Sequence, residues 1–347
     1  MYPIIKHAAL PVARGRLFGW ILTQLEKMDR RQPNLLRVLT YHRVDEPEAR
    51  PALDPTLLSA TPAAFDEQMR FLAAQYHVVA MGEVLEACRG GRLLPPWAVL
   101  ITFDDAYVDF AEHAWPTLCR YGLPATLFVP TAYPDQPQRA FWWDRLYQAF
   151  HATQRRDNLE TPLGWLSLST TARRTLAFRS LKTHVKRLPH DEAMALVDRL
   201  CNSLEVLPGA NPILGWDALR RLAGEGVTLG AHTQTHPLLS RLAPARMADE
   251  IQGAFDDLTR EVGTVLPVFS YPSGDFNDTV VETLHRLNVA LAVTTSRGIN
   301  DLAAADPLRL QRIHVGRHTP LSVLRAQLLP LLLRPVTNAA NSVVMSR

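Results

Sequence analysis

The chain has 347 residues, 47% hydrophobic and 20% charged, an ordinary globular mix that excludes a disordered chain and suits one α/β barrel with insertions. A formal charge of +3 without a clustered Lys/Arg face argues against a nucleic-acid partner. Cys88, Cys119 and Cys201 are odd in number and widely spaced, which excludes a disulfide framework and reads as three small buried hydrophobes.

Residues 3–25 are apolar but broken by His7, Arg14 and Arg16 before a secretory core forms, and nothing reaches transmembrane length. Leu10, Val12, Leu17, Ile21 and Leu25 instead mark an amphipathic N-terminal helix within residues 1–34. Apolar runs bounded by turn residues then predict strands at 35–41, 98–103, 125–129, 227–231, 268–271 and 290–294, with a last one at 310–314. Helical periodicity falls between them at 65–74, 107–121, 216–223, 247–262 and 278–287. Such alternation predicts a parallel sheet with right-handed crossovers, open or closed, built from residues 35–133 and 208–318. Residues 134–207 show no strand pattern and are expected to be a helical insertion. At its entrance stands Phe141-Trp142-Trp143-Asp144, where Trp142 is a candidate to stack on a sugar or, alternatively, to fill the core. Residues 319–347 close the chain as a second amphipathic helix and tail. Both ends can lie on the inner face of a membrane or pack on the barrel. Without a secretory signal, the expected location is the cytoplasm or the inner membrane face.

Two strand ends carry the chemistry. The run from Ala98 leads into Thr102-Phe103-Asp104-Asp105. Successive side chains on a strand point to opposite faces, so one carboxylate can ligate a metal while the other faces a water; a solvated turn or helix cap is the competing reading. The run ending at Ala231 leads into His232-Thr233-Gln234-Thr235-His236, where a helical turn would set both imidazoles on one face. Two His and one carboxylate form a common open metal site, and active sites of parallel barrels gather where strands end.

These residues make the chain resemble the polysaccharide deacetylase family with its NodB homology domain, over about residues 41–314. Thr102 to Asp105 match the family's Thr-Phe-Asp-Asp-Gly with Ala106 in the glycine's place, and His232 to His236 match its His-Ser/Thr-x-x-His. Tyr41-His42-Arg43-Val44, Pro124 to Val129 and Phe269-Ser270-Tyr271-Pro272-Ser273-Gly274 fit as well. The resemblance implies a distorted parallel (β/α) barrel and metal-dependent hydrolysis of N-acetyl groups on amino sugars of a polysaccharide or lipid-linked glycan. Asp105, His232 and His236 would bind a divalent ion, zinc above all, with cobalt, nickel, iron or manganese also suited to such ligands. Asp104 would be the general base, the Tyr271 backbone N–H would hold the oxyanion, and Pro272 and Gly274 would shape that loop. His314 matches the last motif as general acid, with His42 as runner-up and substrate contact. Two departures stand out: Ser270 replaces the family arginine that contacts the base, and no Asp-x-x-x-Trp motif follows Gly274. Alternation along the last strand also lets Arg312 point inward and steady the base instead. A catalytically silent carbohydrate-binding relative and a deformylase of a lipid-linked sugar are the competing readings. Sugar identity and oligomeric state are not legible.

Overall fold

The computed structural model describes residues 16–28, 34–136, 139–206, 209 and 212–330. Seven strands form its centre: β1 (Leu35–Tyr41), β2 (Ala98–Phe103), β3 (Thr126–Val129), β4 (Thr228–Ala231), β5 (Val268–Ser270), β6 (Leu291–Arg297) and β7 (Leu310–His314). Each pairs in parallel with the next in chain order, and β7 returns to β1 through Leu39↔Ile313 and Thr40↔His314. The sheet is therefore closed, a (β/α) barrel of the NodB type.

Alternation along the strands separates two cores. Leu39, Tyr41, Ile101, Phe103, Leu229 and Ile313 pack outward against helix residues such as Phe65, Met69, Leu219, Ile251 and Leu284. Leu36, Val38, Leu100, Phe128, Val293 and Leu310 form the second, inward cluster. Continuing the inward positions toward the strand ends gives buried polar groups: Thr40, Thr102, Asp104, Ser270 and Arg312. The interior thus changes from apolar to polar at the end where parallel strands present catalytic groups.

Helices Pro62–Gln75, Trp216–Gly224, Pro244–Val262 and Asp278–Arg286 lie where periodicity places them. The helix expected over 107–121 opens instead with a π turn, Phe110–Ala114, followed by Trp115–Arg120. Pro116 has no N–H to donate, and the Trp115 N–H bonds the Phe110 carbonyl, widening the turn. In the insertion, helices Trp142–Ala152, Thr171–Val185 and His190–Ser203 pack around their own core of Leu146, Phe150, Phe178, Leu181 and Leu196. It also holds a hairpin, Asn158–Thr161 with Gly164–Ser167, where only helices were expected. Its strands are four residues each and bury little besides Leu159, so no run of apolar residues marks them; Gly164 at φ 89° makes the turn.

The described parts of the two ends, helices Arg16–Met28 and Leu321–Gln327, meet through Arg325, which donates to Glu26 and Thr23 at 2.8 and 2.9 Å. Arg37 of β1 donates to the Leu328 carbonyl, fastening the closing helix to the barrel. Trp20, 62% exposed, and Ile21 face away from this contact. Leu10, Val12 and residues 331–347 lie outside the described residues. No described helix is long and apolar enough to cross a membrane.

Candidate active site

The first carboxylates follow β2 without a break. The Asp104 N–H still bonds the Tyr41 carbonyl of β1 at 3.0 Å, which keeps its side chain on the inward face. Asp105 then turns into the left-handed region at φ 74°, and Ala106 follows at φ 53°. Two such residues in succession cost roughly 1–2 kcal/mol each, and they swing the Asp105 carboxylate from the strand line toward β4. There His232 and His236 each place Nε2 3.4 Å from the same Asp105 Oδ1. The three ligand atoms lie within 4.8 Å of one another, and all three residues are buried.

The segment carrying the imidazoles is a loop and not the helical turn expected, because Thr233 and His236 have φ of 63° and 57°. Its shape comes from acids that the sequence reading missed. Glu250 accepts from the N–H groups of Gln234 (3.0 Å) and Thr235 (2.8 Å) and from the Thr235 hydroxyl. Asp257 accepts from Thr131 Oγ1 at 2.7 Å and Gln234 Nε2 at 2.8 Å. A signal for Glu250 exists: it interrupts the apolar face Met247, Ile251, Ala254, Leu258 of its helix. His232 donates Nδ1 to the Ser270 carbonyl at 2.7 Å, which leaves Nε2 to face Asp105. The ring of His236 is wedged beside Phe141 and Trp143, at 5.6 and 4.8 Å between centroids.

Burial holds His236 down to about 3, so it is neutral and has a lone pair to offer. Burial also pulls His232 down, but the Asp105 and Asp104 carboxylates outweigh it and hold the imidazole above its usual value. For Asp105 burial works upward and is overcome by His232, His236 and His42. Asp105 Oδ1 is buried without a hydrogen-bond partner. An orphaned carboxylate oxygen facing two imidazole nitrogens fits a divalent cation, which would satisfy that oxygen and accept a lone pair from each ring.

Asp104 is held by an arginine from the opposite side of the barrel seam. Arg312 of β7 donates Nη1 to Oδ1 at 2.9 Å and Nη2 to Oδ2 at 2.7 Å. Its Nε is fixed on the Thr294 carbonyl at 2.6 Å, and Ser270 Oγ adds a longer bond to Asp104 Oδ1 at 3.3 Å. Burial alone would raise the Asp104 carboxyl, but Arg312 and then His232 hold it well below the usual carboxylate range. The partner missing at position 270 is thus supplied two strands away.

The loop after β5 corrects one expectation. The Tyr271 N–H is spent on the Val293 carbonyl at 3.2 Å, its hydroxyl on the Leu308 carbonyl at 2.7 Å, and its ring stacks on Phe276. No N–H of Tyr271 is left for a substrate oxyanion, because the bonding to β6 continues through Tyr271, the last residue of the strand expected at 268–271. In the following turn the bonds run from Gly274 N to Tyr271 O and from Asp275 N to Pro272 O, which leaves the Ser273 N–H unused by the turn. Gly274 sits at φ 68°, and a Cβ there would fall 1.9 Å from Thr295 Oγ1, so only glycine closes this turn. His314 ends β7 exposed, its ring 5.8 Å from that of His42. His42 lies close enough to both Asp104 and Asp105 for its charge to act on them. Trp142 is half-buried in a recess shared with His236, Lys186, Arg241 and Ser273.

Comparison with known proteins agrees with this geometry. The family model for polysaccharide deacetylases matches residues 94–292. A poly-β-1,6-N-acetyl-D-glucosamine N-deacetylase of Escherichia coli (strain K12) is 32% identical over 100 residues, which are 28% of this chain but 14% of that relative's length. Among solved structures, the Streptococcus pyogenes deacetylase PplD in complex with acetate superposes with a TM-score of 0.59 at 21% identity, covering 86% of this chain and 100% of that one. IcaB from Ammonifex degensii gives 0.56 at 18% identity, covering 86% and 98%. At these identities the superpositions establish the fold.

Proposed function

Since the chain belongs to the polysaccharide deacetylase family, we propose that its barrel-end site hydrolyses the N-acetyl group of an amino sugar in a glycan or lipid-linked glycan precursor, with zinc held by Asp105, His232 and His236. The observation that carries this reading is the unpartnered Asp105 Oδ1 between two imidazole Nε2 atoms, beside a second carboxylate clamped by Arg312. A divalent cation held there supplies Lewis acidity toward a water and a carbonyl oxygen. Asp104, kept ionised by Arg312, takes the proton from the attacking water. The Ser273 N–H is the donor available to the oxyanion that develops on the amide carbonyl oxygen as water adds to its carbon, in place of Tyr271. As the C–N bond breaks, the amine takes a proton from an imidazolium; His314, exposed at the rim, suits this step, and His42 stands behind it. The aromatic ring of Trp142 offers a face to the sugar.

The pairing of Asp104 with Arg312 favours turnover over silent carbohydrate binding, since it gives the carboxylate the arginine partner that Ser270 does not supply. The test is acetate release from an N-acetylglucosamine oligosaccharide by zinc-loaded protein. Release should vanish on chelation and return with zinc; Asp104→Asn should lower it by about 10²–10⁴-fold while zinc content, measured by atomic absorption, is retained. Unchanged turnover in Asp104→Asn sinks the base assignment. Formate released from an N-formylated sugar, with no acetate from the acetylated one, would favour the deformylase reading.

A further inference from the structure

The helical insertion lends the site more than a wall. Beside His236 opens a recess whose sides are Trp142 and Lys186 from the insertion, Arg241 from the loop after β4, and Ser273 from the turn after β5, with His190 at the start of an insertion helix. We propose that this recess is a subsite for an anionic substituent, a phosphoryl or carboxyl group carried on or next to the sugar being deacetylated, gripped by Lys186 and Arg241. The proposal rests on the deacetylase reading and adds to it the charge of the substrate.

Three observations carry it. The residues lining the recess include Lys186, Arg241 and His190 but not one Asp or Glu. The carboxylates whose charge reaches Lys186 or His190 are committed elsewhere: Asp275 accepts from the N–H and hydroxyl of Ser240 at 2.8 and 2.9 Å, Asp54 pairs with Lys182, Asp105 faces the two histidines, Asp191 pairs with Arg246 at 2.7 Å, and Glu250 accepts from the N–H groups of Gln234 and Thr235. What Lys186 itself meets is a neutral hydroxyl, Ser273 Oγ, at 3.3 Å. The position is close to the chemistry, since the charge of Lys186 acts on His236 and on it the charge of Asp105 acts in turn. Lys186 is exposed and so open to a ligand, while partial burial against the recess walls and then the charge of Lys182 hold its ammonium below the usual lysine value. Lys186 and Arg241 stand exposed at a recess whose other walls are largely apolar, among them Trp142, Leu188 and Leu238, and charge-assisted donors of this kind are what phosphate and carboxylate recognition uses. A glycan without charge gives these two side chains nothing to neutralise.

The experiment compares three acetylated sugars on the zinc-loaded full chain: N-acetylglucosamine 1-phosphate, N-acetylmuramic acid and neutral methyl N-acetylglucosaminide. The expected result is a kcat/KM at least tenfold higher for a charged sugar than for the neutral one. Preference for the phosphate or for the carboxylate identifies which anion the recess takes. In Lys186→Met and Arg241→Met the ratio of charged to neutral should fall toward one, and the advantage of the charged sugar in the parent protein should shrink as salt rises. Acetate release with equal kcat/KM on all three, or a charge preference untouched by both variants, overturns the subsite and leaves the deacetylase reading standing. Absence of acetate from all three counts against the deacetylase reading instead. The subsite is then judged by calorimetric binding of the same sugars, where equal affinity for charged and neutral ligands refutes it and a charged preference lost in Lys186→Met upholds it.

Discussion

Removing Arg312 leaves the Asp104 carboxylate buried with only the long Ser270 hydroxyl contact. An uncompensated charge in such a place costs about 3–5 kcal/mol, so Arg312→Met should lower stability by that order in chemical unfolding and reduce acetate release as well. Arg312→Lys keeps the charge but loses the two-pronged grip, and should recover part of the stability while turnover stays below that of the parent. Ala106 is the opposite case. At φ 53° it bears a strain that glycine would not, and Ala106→Gly should raise stability by up to about 1 kcal/mol; a drop in the unfolding midpoint would show that its buried methyl group matters more. At this scale the sequence exposes Asp104, Asp105, His232 and His236 because their type and their place after apolar runs are local facts. Arg312 is legible only through alternation on a strand more than two hundred positions away, and the engaged Tyr271 N–H follows from the strand expected at 268–271 but not its partner, the Val293 carbonyl of a neighbouring strand.

Among the elements, the loop from His232 to His236 depends on the helix Pro244–Val262 for its form. Glu250 accepts through its side chain from two backbone N–H groups and a hydroxyl of that loop, and Glu250→Ala would strip the Thr235 N–H and hydroxyl of their partner, at about 1–3 kcal/mol where buried, leaving the Gln234 N–H only the Glu250 carbonyl at 3.2 Å. The two imidazoles would lose their fixed spacing, so zinc affinity should fall by about 10–100-fold, read by competition with a chelating dye. An unaltered affinity would mean that β4 alone positions the ligands. Strand and helix positions were readable to within a residue or two for most of the barrel, because burial on both faces of a parallel strand leaves continuous apolar runs. The π turn at Phe110–Ala114 and the hairpin at Gly164 escaped. One depends on a single missing N–H and the other on strands too short to show a period.

For the molecule as a whole, Asp144 is a joint between insertion and barrel. Its carboxyl accepts from the Tyr107 hydroxyl at 2.7 Å and from the Asp54 N–H at 3.2 Å, while Lys182 of the insertion pairs with Asp54. Burial pushes Asp144 up to about 7 against an ordinary value of 3.8, with Tyr107 and the Asp54 N–H opposing. The folded protein therefore binds a proton that the unfolded chain gives up, and stability from this group is full below about pH 3.8 and lost as pH rises through 7. Unfolding free energy should fall between about pH 4 and 7, and Asp144→Asn, which keeps a neutral group there, should flatten that slope; an identical slope in the variant would remove Asp144 as its source. The sequence by itself determined the alternation of strands and helices, the polar strand ends and Asp105, His232 and His236 as candidate ligands, because these follow from local periodicity and residue chemistry. Tertiary structure alone decided that the sheet closes, that the Arg312 guanidinium grips both oxygens of the Asp104 carboxylate, and that the insertion brings Lys186 beside His236. Those are contacts between distant segments, set by barrel register and by packing of the insertion, and no local pattern encodes them.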